Sequence, residues 1–326
     1  MPSTKTSTIL TGDRPTGPLH LGHYFGTLAN RVRLQREGGD LFVLVADYQV
    51  LTDRDVADRL PEHVEGLVAD YLSVGIDPDR ATIFRHSAVP ALNQLMLPFL
   101  SLVSVGELRR NPTVKDEISV SGQATVSGLM FTYPVHQAAD ILFCKADLVP
   151  VGRDQLPHQE IARLVARRFN ERYGPVFPVP DALLSDAPLL LGTDGRKMSK
   201  SRGNAIALSA GPDEVARLVK RAKTDAEREI TYEPETRPEV SNLVRIAALC
   251  QDRDPHAVAA EIGSGGAAAL KKTVVDSVNE FLRPIRARRA GLDRGELRRV
   301  LDRGNERANE VAGRTLAEVR AAMAMG

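Results

Sequence analysis

Cysteine and net charge are both scarce in this 326-residue chain: there are 2 Cys, and 43 Lys and Arg against 42 Asp and Glu leave a net charge of +1. Cys144 and Cys250 lie far apart and form no Cys-x-x-Cys. That speaks against a zinc site or a disulfide framework and leaves reduced, buried thiols as the expectation. A balanced charge supplies no global field for a polyanion, so any nucleic-acid contact has to come from local clusters. No apolar run approaches the roughly 20 residues that a membrane span needs, and Met1 to Thr6 is short and polar. The expected location is the cytoplasm. Internal repeats and low-complexity tracts are missing as well. The length allows a large core, so one big domain with a smaller one is expected.

What is present centres on Thr11 to Gly26, Thr-Gly-Asp-Arg-Pro-Thr-Gly-Pro-Leu-His-Leu-Gly-His-Tyr-Phe-Gly. It follows the β-prone run Ser7 to Thr11 and leads into an amphipathic segment carrying Leu28, Val32 and Leu34. Strand, glycine-rich turn and helix start are adjacent there, which is where a phosphate sits. Glycine lets backbone pass close to a ligand, and His20 and His23 fall on one side of the first helical turn. Unpaired N–H groups at a helix start favour anions, and two imidazoles add donors. His-x-Gly-His alone is a weak signal, more commonly explained as a turn glycine flanked by surface histidines. A second loop changes the weighing: Lys197-Met198-Ser199-Lys200-Ser201, preceded by Gly192-Thr193-Asp194-Gly195 and followed by Arg202-Gly203-Asn204. Two lysines and two hydroxyls between glycines suit a mobile triphosphate clamp, where the plain alternative is a solvated basic loop.

Along the chain, Asp40 to Asp47 is a continuous apolar run ending in an acid, a strand covered on both faces. Pro61 to Leu72 has helical spacing and stops before Gly75, and Ala81 to Arg85 reads as the next strand. This strand, helix, strand unit predicts a doubly wound sheet with ligands at the carboxyl ends of its strands. Pro90 to Leu108 carries Pro98 and suggests two short helices or a bent one, its apolar excess serving the core or a subunit contact. Arg109 to Lys115 brings three cations together ahead of the small, polar stretch Ser119 to Ser127. In Phe131 to Leu142 a helix would set Tyr133, Gln137 and Asp140 on one face, and an acid among apolar neighbours is there to accept a hydrogen bond. Asp147 to Gln155 is a strand running into a turn, with Gly152 able to let a ribose approach and Asp154 or Gln155 placed to bond its hydroxyls or an ammonium. Leu189 to Leu191 is expected to be the last strand. After about Asn204 the pattern is helical, with Gly263 to Gly266 as a flexible joint. The arginines between Arg283 and Arg299 form a solvated helix face or a phosphate-binding one.

The histidine turn and the lysine loop, in this order on an α/β pattern, resemble the two signatures of class I aminoacyl-tRNA synthetases. Within that class, Tyr133 to Leu142 and Val149 to His158 look like the corresponding runs of tryptophanyl-tRNA synthetases. The resemblance covers most of the sheet domain and continues more loosely to Met325. It implies an α/β fold, a Rossmann-like doubly wound parallel sheet with a C-terminal all-helical domain. The implied divisions are a catalytic domain over 1–203 with a helical insertion near 90–130 that is a candidate dimer interface, a tRNA-binding helical domain over 204–292, and a final helix over 293–326 able to pack back on the catalytic domain. It implies that ATP and L-tryptophan form an adenylate whose acyl group passes to tRNA(Trp), with Mg2+ on the phosphates and a homodimer as the assembly. Carried over, His20, His23, Lys197, Lys200 and Lys115 act on the phosphates. Arg14, Pro15, Thr16, Gly22, Met198, Ser199 and Ser201 also touch ATP, and Gly152, Arg153 and Asp154 hold the adenylate. Tyr133, Gln137, Asp140, Val149, Val151 and Gln155 hold tryptophan, with Asp140 accepting the indole N–H. No metal ligands are expected in the protein itself.

The chain departs from the common bacterial pattern at Arg14-Pro15-Thr16-Gly17, at Gln137, and at Asp47-Tyr48-Gln49, where a histidine is usual. Tyr-x-x-x-Gln-x-x-Asp is also how tyrosyl-tRNA synthetases hold a phenol, so tyrosine is the second substrate in line. A regulatory paralogue that does not charge tRNA is the third reading. The run Val149 to Gln155 lacks the Gly-Gly-Ser-Asp-Gln form of the tyrosine enzymes and favours tryptophan.

Overall fold

The computed structural model describes residues 6–52, 58–112, 114–115, 126–152, 156–184 and 189–325, the side chains of Thr52 and Ser201 apart. Five strands form one parallel sheet in the order β3-β2-β1-β4-β5: β1 Thr8–Asp13, β2 Asp40–Val45, β3 Ala81–Arg85, β4 Leu148–Val151 and β5 Asp181–Leu184. β1 pairs with both β2 and β4, so the winding direction reverses between β1 and β4, and ligands of such sheets bind beyond the strand ends at that point.

β2 reads as unbroken apolar sequence because both of its faces are covered. Leu41, Val43 and Val45 join the core under helices Ala29–Arg36 and Leu60–Val74, while Phe42, Leu44 and Ala46 join the core under Pro90–Leu100, Gly128–Leu142 and Leu156–Tyr173. The helix Leu60–Val74 has proline in its first turn and ends on Gly75 in the left-handed region, as the sequence suggests. The segment 90–108 forms helices Pro90–Leu100 and, beyond a short turn, Val105–Arg110. Most of its apolar side chains are core; Leu97 and Val105 are the exposed ones.

One expected strand is absent. Leu189 to Leu191 makes only an isolated bridge, Leu191 with Lys197, and the fifth strand is the short Asp181–Leu184 ahead of it. The reason is local: both backbone groups of Leu191 are taken by the Asn242 side chain, at 2.8 and 3.0 Å, which leaves them unavailable to a sheet.

Helices Pro212–Lys220, Pro238–Gln251, Pro255–Ile262 and Gly266–Ala290 follow, and their apolar faces share the core that lies under helix 60–74. Gly263–Gly265 forms a 3-10 turn between the last two. The final helix, Arg294–Ala322, lies across β3. Gly304 makes that approach possible, since a Cβ there would sit 1.9 Å from the Ile83 carbonyl oxygen. Asn305 accepts the Arg85 N–H at 2.9 Å, Asn309 donates to the Ala88 carbonyl at 2.7 Å, and the Thr315 hydroxyl donates to the Phe143 carbonyl at 2.6 Å.

The arginine-rich stretch is largely engaged within the molecule. Arg286 donates to the Ala210 carbonyl at 2.7 Å, Arg288 to the Ser73 carbonyl at 2.5 Å, Arg289 pairs with buried Asp70, and Arg294 pairs with Glu65 at 3.2 Å. The last three contacts pin the helical part to helix 60–74.

Candidate active site

β1 ends in Asp13, and the turn that follows passes Gly17, whose φ of +126 only glycine adopts without strain. The helix starts at Leu21–His23 and runs through a π-turn, Tyr24–Leu28, into Ala29–Arg36. His23 Nδ1 accepts the His20 N–H at 3.2 Å, and the two rings lie 3.8 Å apart. Gly22 gives the His20 ring its room, because a Cβ at that position would meet the ring at 3.0 Å.

Beneath the turn, Asp13 accepts from Arg31 at 2.5 Å and from the Tyr71 hydroxyl at 2.8 Å. Burial alone would push the Asp13 carboxyl up, but the Arg31 guanidinium outweighs it and holds the group well below the usual carboxylate range. Asp70, fully buried, accepts the Leu19 N–H at 2.8 Å with one oxygen and Arg289 with the other. Burial pushes its carboxyl up to about 6, against the opposing pull of Arg289 and the Leu19 N–H. The residue just before His20 is thereby tied to a helix of the C-terminal part.

The lysine loop reaches the same place. Immediately after it, Ile206 accepts the Leu21 N–H at 3.0 Å and Leu208 donates to the Leu19 carbonyl at 2.8 Å, an antiparallel bridge centred on His20 and Ala207. The Lys200 ammonium donates to the Gly17 carbonyl at 2.9 Å. Asn204 organises the loop from within: its amide nitrogen donates to Asp194 at 2.7 Å and to the Lys197 carbonyl at 3.2 Å, and its oxygen accepts the Ser199 N–H at 2.9 Å. Gly192 is required opposite it, since a Cβ there would stand 2.3 Å from the Asn204 side chain.

Burial dominates the electrostatics of the pair of loops. It lowers His20 to about 3, assisted by His23 and Lys200, and His23 to about 4, with Asp13 acting against it. Lys200 is also lowered by burial, with Asp13 and Asp70 opposing. Both imidazoles are therefore neutral near pH 7 and each offers one N–H and one lone pair. Because their folded values lie below the unfolded 6.5, the folded chain binds fewer protons, and their contribution to stability falls as the pH drops from about 6.5 toward the range of 3 to 4.

Across the switch point, helix Gly128–Leu142 faces β4. Tyr133, Asp140, Val149 and Val151 are buried and Gln137 is half-buried. The Tyr133 hydroxyl meets His158 Nε2 at 2.6 Å, a partner that helix spacing alone does not reveal. Asp140 is 1 % exposed, and among the described residues neither of its oxygens accepts a hydrogen bond. His86 Nε2 lies 3.0 Å from its Oδ1 but outside hydrogen-bond geometry.

No metal-ligand cluster was expected, yet His86, His136 and Asp140 bring possible ligand atoms within 4.8 Å of one another. His86 and His136 lie on separate elements, so no local spacing announces the group. Its rings are stacked, 4.0 Å apart and 22° from parallel. Imidazole lone pairs lie in the ring plane and reach an ion at about 2.0–2.1 Å, so near-parallel rings at this separation do not converge on one ion.

The structure thus brings His20, His23, Gly22, Met198 and Lys200 together with the turn of Arg14, Pro15 and Thr16, and places Tyr133, Gln137 and Asp140 on the helix that faces β4, where Val149, Val151 and Gly152 stand. Arg14 and Lys197 are exposed. Lys115 is exposed too, and no contact among the described residues ties its side chain to either loop. Arg153, Asp154 and Gln155 lie outside the described residues, as does the Ser201 side chain. Sequence reasoning missed Asp70, Asn204, His86 and His158, whose partners are distant in sequence or, for Asn204, set by the loop's own conformation.

The family model for class I tRNA synthetases (W and Y) matches residues 2–283. The chain is similar to a tryptophan--tRNA ligase of Streptococcus pyogenes, 44% identical over 332 residues that cover 97% of each chain. A tryptophan--tRNA ligase of Treponema pallidum is 42% identical over 97% of this chain and 96% of its own. Among solved structures, tryptophanyl-tRNA synthetase from Campylobacter jejuni complexed with ADP and tryptophan superposes with a TM-score of 0.85 at 29% identity, covering 97% of this chain and 99% of that one.

Proposed function

The chain belongs to the class I tRNA synthetases of the tryptophan and tyrosine group, and we propose that it is a tryptophan--tRNA ligase that forms tryptophanyl-adenylate from L-tryptophan and ATP and transfers the acyl group to tRNA(Trp). One observation carries the reading that the amino acid's side chain meets a hydrogen-bond acceptor: Asp140, a buried side chain whose oxygens accept no hydrogen bond among the described residues. A buried acceptor left unmatched costs about 1–3 kcal/mol, more when charged, so a ligand that brings a donor is favoured there. The indole N–H is the one donor on that side chain. Tyr133, Gln137, Val149 and Val151 form the surrounding walls, with Gln155 as a further contact to the amino acid. A phenol O–H could also donate to Asp140, and tyrosine, the second expectation, is set aside by the relatives: those 42% and 44% identical over nearly the whole chain are named tryptophan--tRNA ligase.

In the first step a carboxylate oxygen of tryptophan bonds to the α-phosphorus of ATP, and the bond from that phosphorus to pyrophosphate breaks. The nucleophile is already ionised, so no general base is needed, and the protein's work is alignment and charge stabilisation. His20 and His23 donate neutral N–H groups to phosphate oxygens, and Lys200 and Lys197 draw the charge that develops on pyrophosphate. Arg14, Pro15, Thr16, Gly22, Met198, Ser199 and Ser201 line the nucleotide. Gly152 is assigned to the adenylate, as are Arg153 and Asp154, which lie outside the described residues. Lys115 supplies a further cation to the phosphates. In the second step a ribose hydroxyl at the 3′ end of tRNA attacks the acyl carbon and AMP leaves.

Mg2+ accompanies the triphosphate and offsets its charge. The carboxylates beneath the turn, Asp13 and Asp70, are engaged by Arg31, Tyr71, Arg289 and the Leu19 N–H. Phosphate oxygens and water therefore supply its ligands. Leu97 and Val105, 73% and 58% exposed on the helical segment after β3, are the apolar side chains offered to a second copy in a homodimer. No helix among the described residues is long and apolar enough to cross a membrane, and the cytoplasm is the location that fits a tRNA substrate.

Exchange of labelled pyrophosphate into ATP tests the reading: it should depend on tryptophan, and dependence on tyrosine or on neither amino acid would refute it. The same assay checks the histidines. With His20 at about 3 and His23 at about 4, kcat/KM for ATP should show no acid limb between pH 5.5 and 8 that His23→Asn removes. A limb near the ordinary imidazole value that disappears in that variant would show a charged His23 at work.

A further inference from the structure

His86 stands on the 3-10 turn His86–Ala88 directly after β3 and is fully buried. Asp47, beyond the end of β2, fixes that turn, accepting the Ser87 N–H at 2.9 Å with one oxygen and the Ser87 hydroxyl with the other. From this anchor the His86 ring crosses to helix 128–142, placing Nε2 3.0 Å from Asp140 Oδ1 and stacking on His136 at 4.0 Å. Tyr48 packs against both imidazoles, at 5.4 and 6.3 Å, and Asn93 Oδ1 meets His136 Nε2 at 3.1 Å. The ring that confronts Asp140 is thus held by its own backbone turn and by two neighbouring rings. Among the described residues no lysine or arginine pairs with Asp140; its ionisable neighbours there include His86, whose Nε2 is 3.0 Å from Oδ1, and His136 stacked behind it. Asp47 and Tyr48 thus brace an imidazole that arrives from the end of the neighbouring strand.

We propose that His86 is a positioning residue for tryptophan recognition: its Nε2 edge, lying against Oδ1 of Asp140, limits how the carboxyl group can turn, Oδ2 is left to accept the indole N–H, and discrimination against side chains without that donor depends on it. The proposal rests on the reading of Asp140 as the indole acceptor. A carboxyl group that can rotate presents either oxygen to any donor, whereas one with a clamped ring against Oδ1 is confined to offering Oδ2.

The test compares His86→Ala, His86→Gln and Asp140→Ala in pyrophosphate exchange, with tryptophan and with the isosteric analogue that carries sulfur in place of the indole N–H. In His86→Ala, KM for tryptophan should rise about tenfold with kcat and KM for ATP within about twofold, and preference over the sulfur analogue should shrink by a similar factor. His86→Gln keeps a side-chain N–H and should recover most of both. An unchanged KM and unchanged preference in a His86→Ala protein with normal circular dichroism would overturn the proposal, as would equal losses for tryptophan and the sulfur analogue. One equivalent of tightly held zinc in the purified protein that His86→Ala releases would overturn it in favour of a metal centre. Asp140→Ala separates the two levels: if it leaves the preference intact, the acceptor reading itself fails, whereas failure of His86→Ala alone removes only the positioning role.

Discussion

Lys200→Ala is expected to lower kcat for tryptophan-dependent adenylate formation by roughly 10²–10³-fold while changing KM for ATP only severalfold. The ammonium lies against the Gly17 carbonyl at 2.9 Å, inside the turn that leads to His20, and is half-buried. A cation at that depth acts in a medium less screened than water, so it gains most from charge that appears as pyrophosphate departs. Ground-state ATP already carries its negative charge and on the proposed reading would be shared among Arg14, Lys197 and backbone donors, which is why binding should suffer less than turnover. Single-turnover formation of the adenylate under saturating ATP measures the difference. Equal losses in kcat and in ATP affinity would assign Lys200 to plain binding, without a part in the transition state.

Asp140→Ala should reduce kcat/KM for tryptophan by about a hundredfold and let phenylalanine compete, because a site built on one buried acceptor rejects ligands that leave it unpaired. The carboxylate is 1 % exposed, sits at the base of helix 128–142 and accepts no hydrogen bond from the described residues, so its removal deletes an attraction to the ligand with little internal bonding to lose. Competition kinetics between tryptophan and phenylalanine provide the readout. Selectivity that survives the substitution would move the indole elsewhere.

Much of this site was readable in the chain because its parts are local. The histidine turn announces itself through glycines and two imidazoles at helix spacing, and the lysine loop through a dense run of cations and hydroxyls between glycines. β2 was legible since its apolar run, Leu41 to Ala46, is of strand length, rich in Val and Leu and bounded by acids, and helix 60–74 since proline and glycine mark its ends. The parts that escaped are pairings between residues far apart along the chain. Nothing near Asp70 indicates that one of its oxygens holds the Leu19 N–H and the other meets Arg289, and nothing near Arg31 indicates its bond to Asp13. Arg286, Arg288 and Arg289 look like a solvated or phosphate-binding run until the fold shows them stapled to helix 60–74 and its surroundings. Leu189 to Leu191 has the composition of a strand, and the amide of Asn242, on a later helix, takes the backbone groups that a strand would use. His86 and His136 carry no pattern at all until β3 and helix 128–142 are set side by side.

The central claim is that the histidine turn and the lysine loop enclose one nucleotide whose partner amino acid is read by Asp140. Crystals grown with tryptophan and a non-hydrolysable ATP analogue test it in one experiment. The account predicts triphosphate density between Lys200 and the His20 and His23 rings, with the indole nitrogen within hydrogen-bond distance of an Asp140 oxygen. A nucleotide bound away from that cleft, or an indole ring turned with its nitrogen away from Asp140, would contradict it.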